Sequence, residues 1–117
     1  MLKHLHIHDE AEEKVWGKMP KDKAFEKAAD TFQLISDATR LKILWLLCHH
    51  ETCVNNIAIA VDMSAPAVSH HLRLLKQAGL LETRRDGKEM YYKLVGSDEA
   101  MLVHRAIDDI LNIKCFL

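Results

Sequence analysis

Histidine and cysteine are the residues of this sequence best suited to bind metal ions, and three histidines alternate near its N-terminus. His4, His6 and His8 are separated by Leu5 and Ile7. Because successive side chains of an extended strand point to opposite faces, all three imidazoles would lie on one face. Imidazole nitrogens are common ligands of zinc and of softer metal ions. The spacing predicts a metal-binding arm, and the alternative is a solvated, histidine-rich tail.

A second group of polar side chains lies within residues 64–94, SAPAVSHHLRLLKQAGLLETRRDGKEMYYKL. Ser64 is a typical residue for the start of a helix. Residues 81–85 and 89–94 have the composition of strands, and the Asp86-Gly87 pair between them is a strong hairpin signal. A helix that fits the DNA major groove, followed by a basic hairpin that reaches the flanking phosphates, is the winged helix-turn-helix arrangement.

The distribution of charge agrees with a DNA contact in this stretch. The whole chain has a formal net charge of −1. Residues 64–93 hold six Lys/Arg against three Asp/Glu, which gives +3, whereas residues 94–117 hold two against four, which gives −2. A local basic patch matters more for phosphate contact than the total charge.

Length and composition restrict the class of protein. A chain of 117 residues is enough for one domain and not for two. No apolar run approaches the roughly 18–20 residues of a membrane helix, and the N-terminus does not resemble a signal peptide. We therefore expect a cytoplasmic protein, whose three cysteines are thiols or metal ligands and not a disulfide framework. No enzyme motif is recognisable, so we expect neither catalysis nor an organic cofactor.

The elements that must position these residues follow from apolar periodicity. We expect an N-terminal extension over residues 1–20 and one DNA-binding and dimerisation domain over residues 21–117. Ser36-Asp37, Thr52, Ser64 and Ser97 are expected to begin the successive helices of that domain. The apolar helices predicted at residues 22–35 and 97–114 exceed what a lone winged helix needs, so we predict a homodimer.

The runs ISDATRLKILWLL, ETCVNNIA and MSAPAVSHHLRLLKQAGLLETRRDGKEMYYKL resemble the ArsR/SmtB family of bacterial metal-sensing repressors. The resemblance covers about residues 28–95. Similar proteins are homodimers that bind inverted-repeat operators and lose affinity for DNA when they bind a ligand. The expected fold is therefore mainly α with a small β-hairpin (α+β), a winged helix-turn-helix dimerised through its N- and C-terminal helices.

The resemblance also implies which residues meet DNA. The recognition helix would span residues 64–78, and the hairpin would be the wing. His71, beside the implied DNA contact His70, has the alternative role of packing against the core or the dimer interface. The DNA-contacting residues implied by the resemblance are Ser64, Ala65, Ser69, His70, Arg73 and Lys76 of the helix and Arg84, Arg85 and Lys88 of the wing.

One family metal site uses two cysteines in an ELCVCD-like motif that opens the third helix of the domain, completed by residues from the N-terminal extension. The present motif, ETCVNN, keeps the first cysteine as Cys53 but has Asn55 at the second, and Asn56 where an aspartate is usual. The Cys53 thiolate and the three arm histidines would make a tetrahedral site for zinc, and a tolerable one for cadmium, cobalt or copper(I). Metal binding would draw the arm onto that helix and oppose DNA binding.

A second family site lies on the last helix and joins two subunits. Asp98 matches its first ligand, but Ala100 stands at the expected histidine and no histidine follows near the helix end. A weaker alternative site would use Asp98, His104 and Asp108 or Asp109. The other interpretation makes this helix a dimerisation element only, with His104 at the interface or the surface.

Two further interpretations remain for the effector. Cys48, Cys53 and Cys115 could form a thiol-oxidation or reactive-sulfur switch, as in some similar repressors, if they approach within disulfide range. Cys48 is otherwise a small apolar side chain, and His49-His50 would be structural residues at a helix end. Alternatively the protein binds DNA and has lost metal sensing.

Overall fold

The structure, a computed structural model, describes residues 8–112. The fold of these residues is mainly helical with one small antiparallel sheet, which confirms the expected α+β winged-helix class. Its elements in chain order are α1 Glu10–Gly17, α2 Asp22–Ile35, α3 Ala38–His49, β1 Thr52–Cys53, α4 Val54–Val61, α5 Ala65–Gln77, β2 Leu81–Asp86, β3 Glu89–Leu94 and α6 Asp98–Leu111.

The described residues fall into two compact units, of which one ends at Asp30 and the other begins at Thr31. The predicted extension over residues 1–20 stays a prediction. In the first unit, α1 begins at Asp9, whose carboxylate accepts a hydrogen bond from the Glu12 backbone N–H at 2.8 Å. The Trp16 indole donates to Glu12 Oε1 at 3.3 Å, so this short helix is stabilised by its own side chains.

Short polar side chains begin three helices of the second unit, as their sequence positions predict. Asp37 accepts from the Arg40 N–H at 3.0 Å, Ser64 from the Ala67 N–H at 3.3 Å and Ser97 from the Ala100 N–H at 3.1 Å. The backbone N–H of Arg40 holds the pKa of the Asp37 carboxyl below its usual range, because the hydrogen bond favours the ionised form.

Thr52 does not begin the next helix, contrary to the expectation from sequence. Thr52 and Cys53 form β1, and Cys53 precedes α4 without a side-chain hydrogen bond to that helix. The reason is a long-range contact, since Thr52 pairs with Tyr92 of β3. The Thr52 hydroxyl instead accepts a hydrogen bond from the Asn56 amide at 3.2 Å.

The sheet has the order β1-β3-β2 and is antiparallel throughout. The β2–β3 hairpin is the wing, and its last pair, Asp86 opposite Glu89, leaves a two-residue turn. Gly87 in that turn has φ +65°, a left-handed conformation that favours glycine. The sequence predicted this turn correctly.

The core of the second unit lies beneath α5 and joins it to α3, α4, β2 and α6. Leu80, which precedes the wing, and Leu81, its first residue, are buried in the same cluster, so α5 and the wing rest on one core. The side chains that are fully buried are Ile43, Leu44, Ile57, Val68, Leu72, Leu75 and Leu80.

Two helices, α2 and α6, also present apolar side chains to solvent. Phe32 of α2 is 69% exposed, and Leu102 and Ile110 of α6 are 68% and 83% exposed. Both helices carry the wide apolar faces expected from the sequence. None of the helices within residues 8–112 is long and apolar enough to cross a membrane.

Candidate DNA interface and metal-ligating residues

The recognition helix α5 is amphipathic because its apolar side chains recur at helical spacing. Val68 and Leu72 are fully buried, so Ser69 and His70 between them point away from the core. Ser64, Ser69, His70, Arg73 and Lys76 are exposed and Ala65 is half-buried, which is the predicted DNA-facing set of this helix.

Hydrogen bonds fix the geometry of this face. Arg73 Nη2 lies 2.9 Å from His70 Nδ1. Because a guanidinium only donates, His70 Nδ1 accepts and the neutral ring carries its hydrogen on Nε2. Lys76 donates to the Thr83 hydroxyl at 3.3 Å, which links α5 to β2. His71 is half-buried with Nδ1 3.4 Å from Arg40 Nη1, so it packs toward α3.

The three basic residues of the wing are not equivalent. Arg84 Nη2 lies 2.6 Å from Glu51 Oε1, and the Arg84 guanidinium carbon lies 4.7 Å from the centroid of the Tyr91 ring. The hydrogen bond from Arg84 lowers the pKa of the Glu51 carboxyl and raises the pKa of Arg84. Arg85 and Lys88 are exposed and have no ion-pair partner among residues 8–112, so they remain available for phosphates.

The predicted arm site is described only in part. Cys53 is buried at the start of α4, and neither Cys48 nor Cys53 forms a disulfide with another described residue. His8 is exposed, and its backbone N–H donates to Glu12 Oε2 at 3.1 Å. His4, His6 and Cys115 lie outside the described residues, so the four-ligand site and the cysteine switch stay predictions.

On α6 the structure brings two predicted ligands together with a third residue. His49, His104 and Asp108 each offer a ligand atom, and these atoms all lie within 4.8 Å of one another. Asp98 does not belong to this cluster and is exposed in the first turn of α6. The sequence interpretation had assigned His49 a structural role, since nothing local indicates that the end of α3 packs on α6.

The cluster is nearly closed to solvent. The side chains of His49, Asp108 and His104 are 4%, 12% and 17% exposed. His49 Nε2 lies 3.8 Å from Asp108 Oδ1, and His104 Nε2 lies 3.0 Å from Asp108 Oδ2. The two imidazole rings meet edge to face, with centroids 5.1 Å apart.

The chain is similar to known regulators along much of its length. The family model described as "Bacterial regulatory protein, arsR family" matches residues 37–83. The cadmium resistance transcriptional regulatory protein CadC homolog of Staphylococcus aureus is 40% identical over 79 residues, which are 67% of this chain and 65% of that protein. The transcriptional repressor SmtB homolog of Synechocystis is 34% identical over 87 residues, 74% of this chain and 65% of that protein. The chain thus spans slightly less than two thirds of the length of these relatives.

A solved structure agrees with the same comparison. The solution structure of the homodimeric winged helix-turn-helix DNA-binding domain Mb0332 from Mycobacterium bovis superposes with a TM-score of 0.65 and 33% sequence identity. The match covers 80% of this chain and 87% of that domain. Sequence identity and structural similarity therefore both relate this chain to DNA-binding regulators.

Proposed function

The chain belongs to the ArsR family of bacterial regulatory proteins, and we propose that it is a transcriptional repressor that binds an inverted-repeat operator as a homodimer and is released by a metal ion. It is a DNA-binding regulator and not an enzyme, as are the relatives described above. The observation that carries the proposal is the exposed polar face of α5 beside a wing whose Arg85 and Lys88 have no ion-pair partner among the described residues.

The contacts of this surface divide into two kinds. Ser69 and His70 present hydrogen-bonding groups on the exposed face of a helix that fits the major groove, where base edges can be distinguished. Arg85 and Lys88 extend from the wing and would contact backbone phosphates, which fix orientation and contribute most of the salt-dependent affinity. Base reading therefore belongs to α5, and the wing mainly adds affinity.

The homodimer rests on the apolar side chains that α2 and α6 present to solvent. Single exposed apolar residues are normal on a protein surface. Here three large apolar side chains, those of Phe32, Leu102 and Ile110, are exposed on these two helices. The Mb0332 domain is homodimeric in solution. A twofold dimer presents its two recognition helices about 34–36 Å apart, which matches successive major grooves on one side of DNA.

For the effector we propose a metal ion, zinc or cadmium. The name of the Staphylococcus aureus relative refers to cadmium resistance. The ligands of the proposed arm site are the Cys53 thiolate and the three N-terminal histidines, His4, His6 and His8. Because α4 packs on α5, binding at the start of α4 would shift the recognition helix. Coupling of about 1–3 kcal/mol is sufficient for release, and DNA must weaken metal binding by the same factor.

The test is fluorescence anisotropy on an AT-rich inverted repeat from the protein's own promoter. Zinc, cadmium and copper(I) are titrated into the complex formed by the wild type, by Cys53→Ser and by a chain lacking residues 1–8. Cys48→Ser is the matched control, since it removes a thiol outside the arm site. We expect the wild type and Cys48→Ser to be released at lower metal concentrations than Cys53→Ser and the shortened chain.

Other outcomes are equally informative. Release of Cys53→Ser by zinc at the same concentrations that release the wild type would contradict the arm site. Binding that no metal disturbs, but that thiol oxidants abolish, would replace metal by reactive sulfur or oxidation as the effector. Operator binding that neither metals nor thiol oxidants disturb would indicate a DNA-binding module without metal sensing. Failure to bind the operator would contradict the repressor proposal itself.

A further inference from the structure

We propose that His49, His104 and Asp108 bind one divalent metal ion within a single subunit, where the end of α3 meets α6. This site differs from the arm site in every ligand. It also differs from a site shared between two α6 helices, because all three residues belong to one chain. Its effect on DNA binding rests on the proposed function, whereas the binding of metal itself does not.

The distances between the ligand atoms fit a metal ion. Zinc–nitrogen and zinc–oxygen bonds of about 2.0–2.2 Å place the ligand atoms of a tetrahedral centre about 3.4 Å apart. His49 Nε2 lies 3.8 Å from Asp108 Oδ1 and His104 Nε2 lies 3.0 Å from Asp108 Oδ2, and one ligand atom from each of the three residues can be chosen so that all lie within 4.8 Å of one another. Side-chain rotations that shorten the widest separation by about 1.4 Å or less would complete the geometry.

The orientation of His49 also fits a ligand. Its Nδ1 lies 2.7 Å from the Trp45 carbonyl oxygen, so this nitrogen carries the hydrogen and donates it. Nε2, the nitrogen left for a metal ion, lies on the side of the ring that faces Asp108, 3.8 Å from Oδ1. A histidine that binds metal through one nitrogen usually donates its other N–H to a carbonyl or a carboxylate, which fixes the tautomer.

Buried polar atoms give an independent indication. Within the described part of the chain, His104 Nε2 and Asp108 Oδ1 are buried and have no hydrogen-bond partner. The 3.0 Å approach of His104 to Asp108 is therefore not aligned as a hydrogen bond. Buried unsatisfied atoms are rare because they lose hydration without compensation. A cation held between these atoms would satisfy both.

The surroundings of the cluster leave room for a further ligand. A surface cavity of about 440 Å³ is lined by His49 and His104 together with Cys48, Glu51 and Lys93. Water from this cavity could fill the fourth position of the metal. Two imidazoles and one carboxylate favour zinc, cobalt(II) or nickel(II) over copper(I), which prefers sulfur ligands.

The position of the site connects it to the wing. Glu51, two residues after His49, forms the ion pair with Arg84 of β2. An ion that draws the end of α3 toward α6 would displace Glu51 and with it the anchor of the wing. It would also fix α6, whose exposed apolar face is the proposed dimer surface. The ion would thus change the placement of the wing in each subunit and the packing of the two subunits.

The test is cobalt(II) titration of the metal-free, full-length protein, followed by its visible absorption and by equilibrium dialysis. We expect His104→Gln and Asp108→Asn each to bind one cobalt ion fewer per chain than the wild type, or to bind it at least tenfold more weakly. His50→Gln is the matched control, because His50 is exposed beside the cluster and should leave stoichiometry and spectrum unchanged.

Far-UV circular dichroism and operator binding without metal, measured on the same proteins, separate the outcomes. Wild-type stoichiometry and affinity in both His104→Gln and Asp108→Asn would overturn the site. A folded wild type that binds no cobalt would also overturn the site. If that protein still binds the operator, the repressor proposal is unaffected. A wild type that binds cobalt at these residues but does not bind the operator would contradict the repressor proposal and support the metal site.

Discussion

Replacing Arg85 and Lys88 together by alanine should reduce the salt dependence of DNA binding. Both side chains are exposed and lack ion-pair partners among the described residues, whereas Arg84 is held by Glu51. In the proposed dimer the double substitution removes four cations from the wings. Each phosphate contact contributes about 0.9 to the slope of log K against log salt concentration, so the slope should fall by about 3.6.

The corresponding loss of affinity follows from the same slope. If the contribution vanishes near 1 M salt, four contacts strengthen binding about a thousandfold at roughly 0.15 M salt. The loss should be about equal for operator and non-operator DNA, because phosphate contacts carry no direct sequence information. Specificity, measured as the ratio of the two affinities, should therefore change little.

Anisotropy titrations at four or more salt concentrations, on operator and on scrambled DNA, measure both quantities. Lys93→Ala is the control, since Lys93 is an exposed wing cation already paired with Glu82 at 3.2 Å. Its slope should stay near that of the wild type. An unchanged slope in the Arg85→Ala/Lys88→Ala protein would show that the wing does not meet phosphates and would refute the reasoning.

Three further predictions concern the stability of the fold and the pH dependence of one ion pair. Leu72→Ala empties a fully buried position under α5, and urea unfolding should show a loss of about 2–5 kcal/mol. Ser97→Ala removes the first hydrogen bond of α6 and should cost about 1 kcal/mol in the same assay. The Glu51–Arg84 pair depends on pH: because the pKa of Glu51 is lowered in the fold, the contact is present above the ordinary value of 4.5 and is lost as pH falls through the lowered pKa. The Arg84 Nε–H signal in NMR spectra should report this loss.

Each of these predictions has a matched control. Ile59→Ala truncates an aliphatic side chain that is 79% exposed and lies outside the proposed dimer surface, so it should cost far less than Leu72→Ala; equal losses would contradict the assigned core. Ser69→Ala lies in the interior of α5 and should leave stability nearly unchanged. Glu51→Gln should remove the pH response of Arg84, and a response that persists would have another origin.

Local features of this fold could be predicted from sequence, and long-range contacts could not. Asp37, Ser64 and Ser97 begin helices, and Gly87 closes the hairpin, because these roles depend on a few neighbouring residues. Thr52 was misassigned because its pairing with β3 overrides its capping preference.

The candidate sites show the same division. The exposure of the polar face of α5 follows from helical periodicity and could be predicted from sequence, whereas the contacts of its residues with DNA are implied by the family resemblance and stay a prediction. His49 and His104 are separated by 54 intervening residues, and Glu51 and Arg84 by 32. Only the packing of α3 on α6 and of β1 on β3 brings these pairs together. No spacing rule in the sequence distinguishes Arg84 from Arg85.

The hydrophobic core has a consequence for how strongly gene expression would respond to the amount of this protein. It draws on α3, α4, α5 and α6 of one chain, so each chain can fold before it meets a second copy. Obligate homodimers, by contrast, often have no stable folded monomer. Where monomers predominate, the concentration of dimer rises with the square of the monomer concentration, so doubling the monomer raises the operator-binding species about fourfold. A modest change in the amount of protein would then change the concentration of the operator-binding dimer more than in proportion.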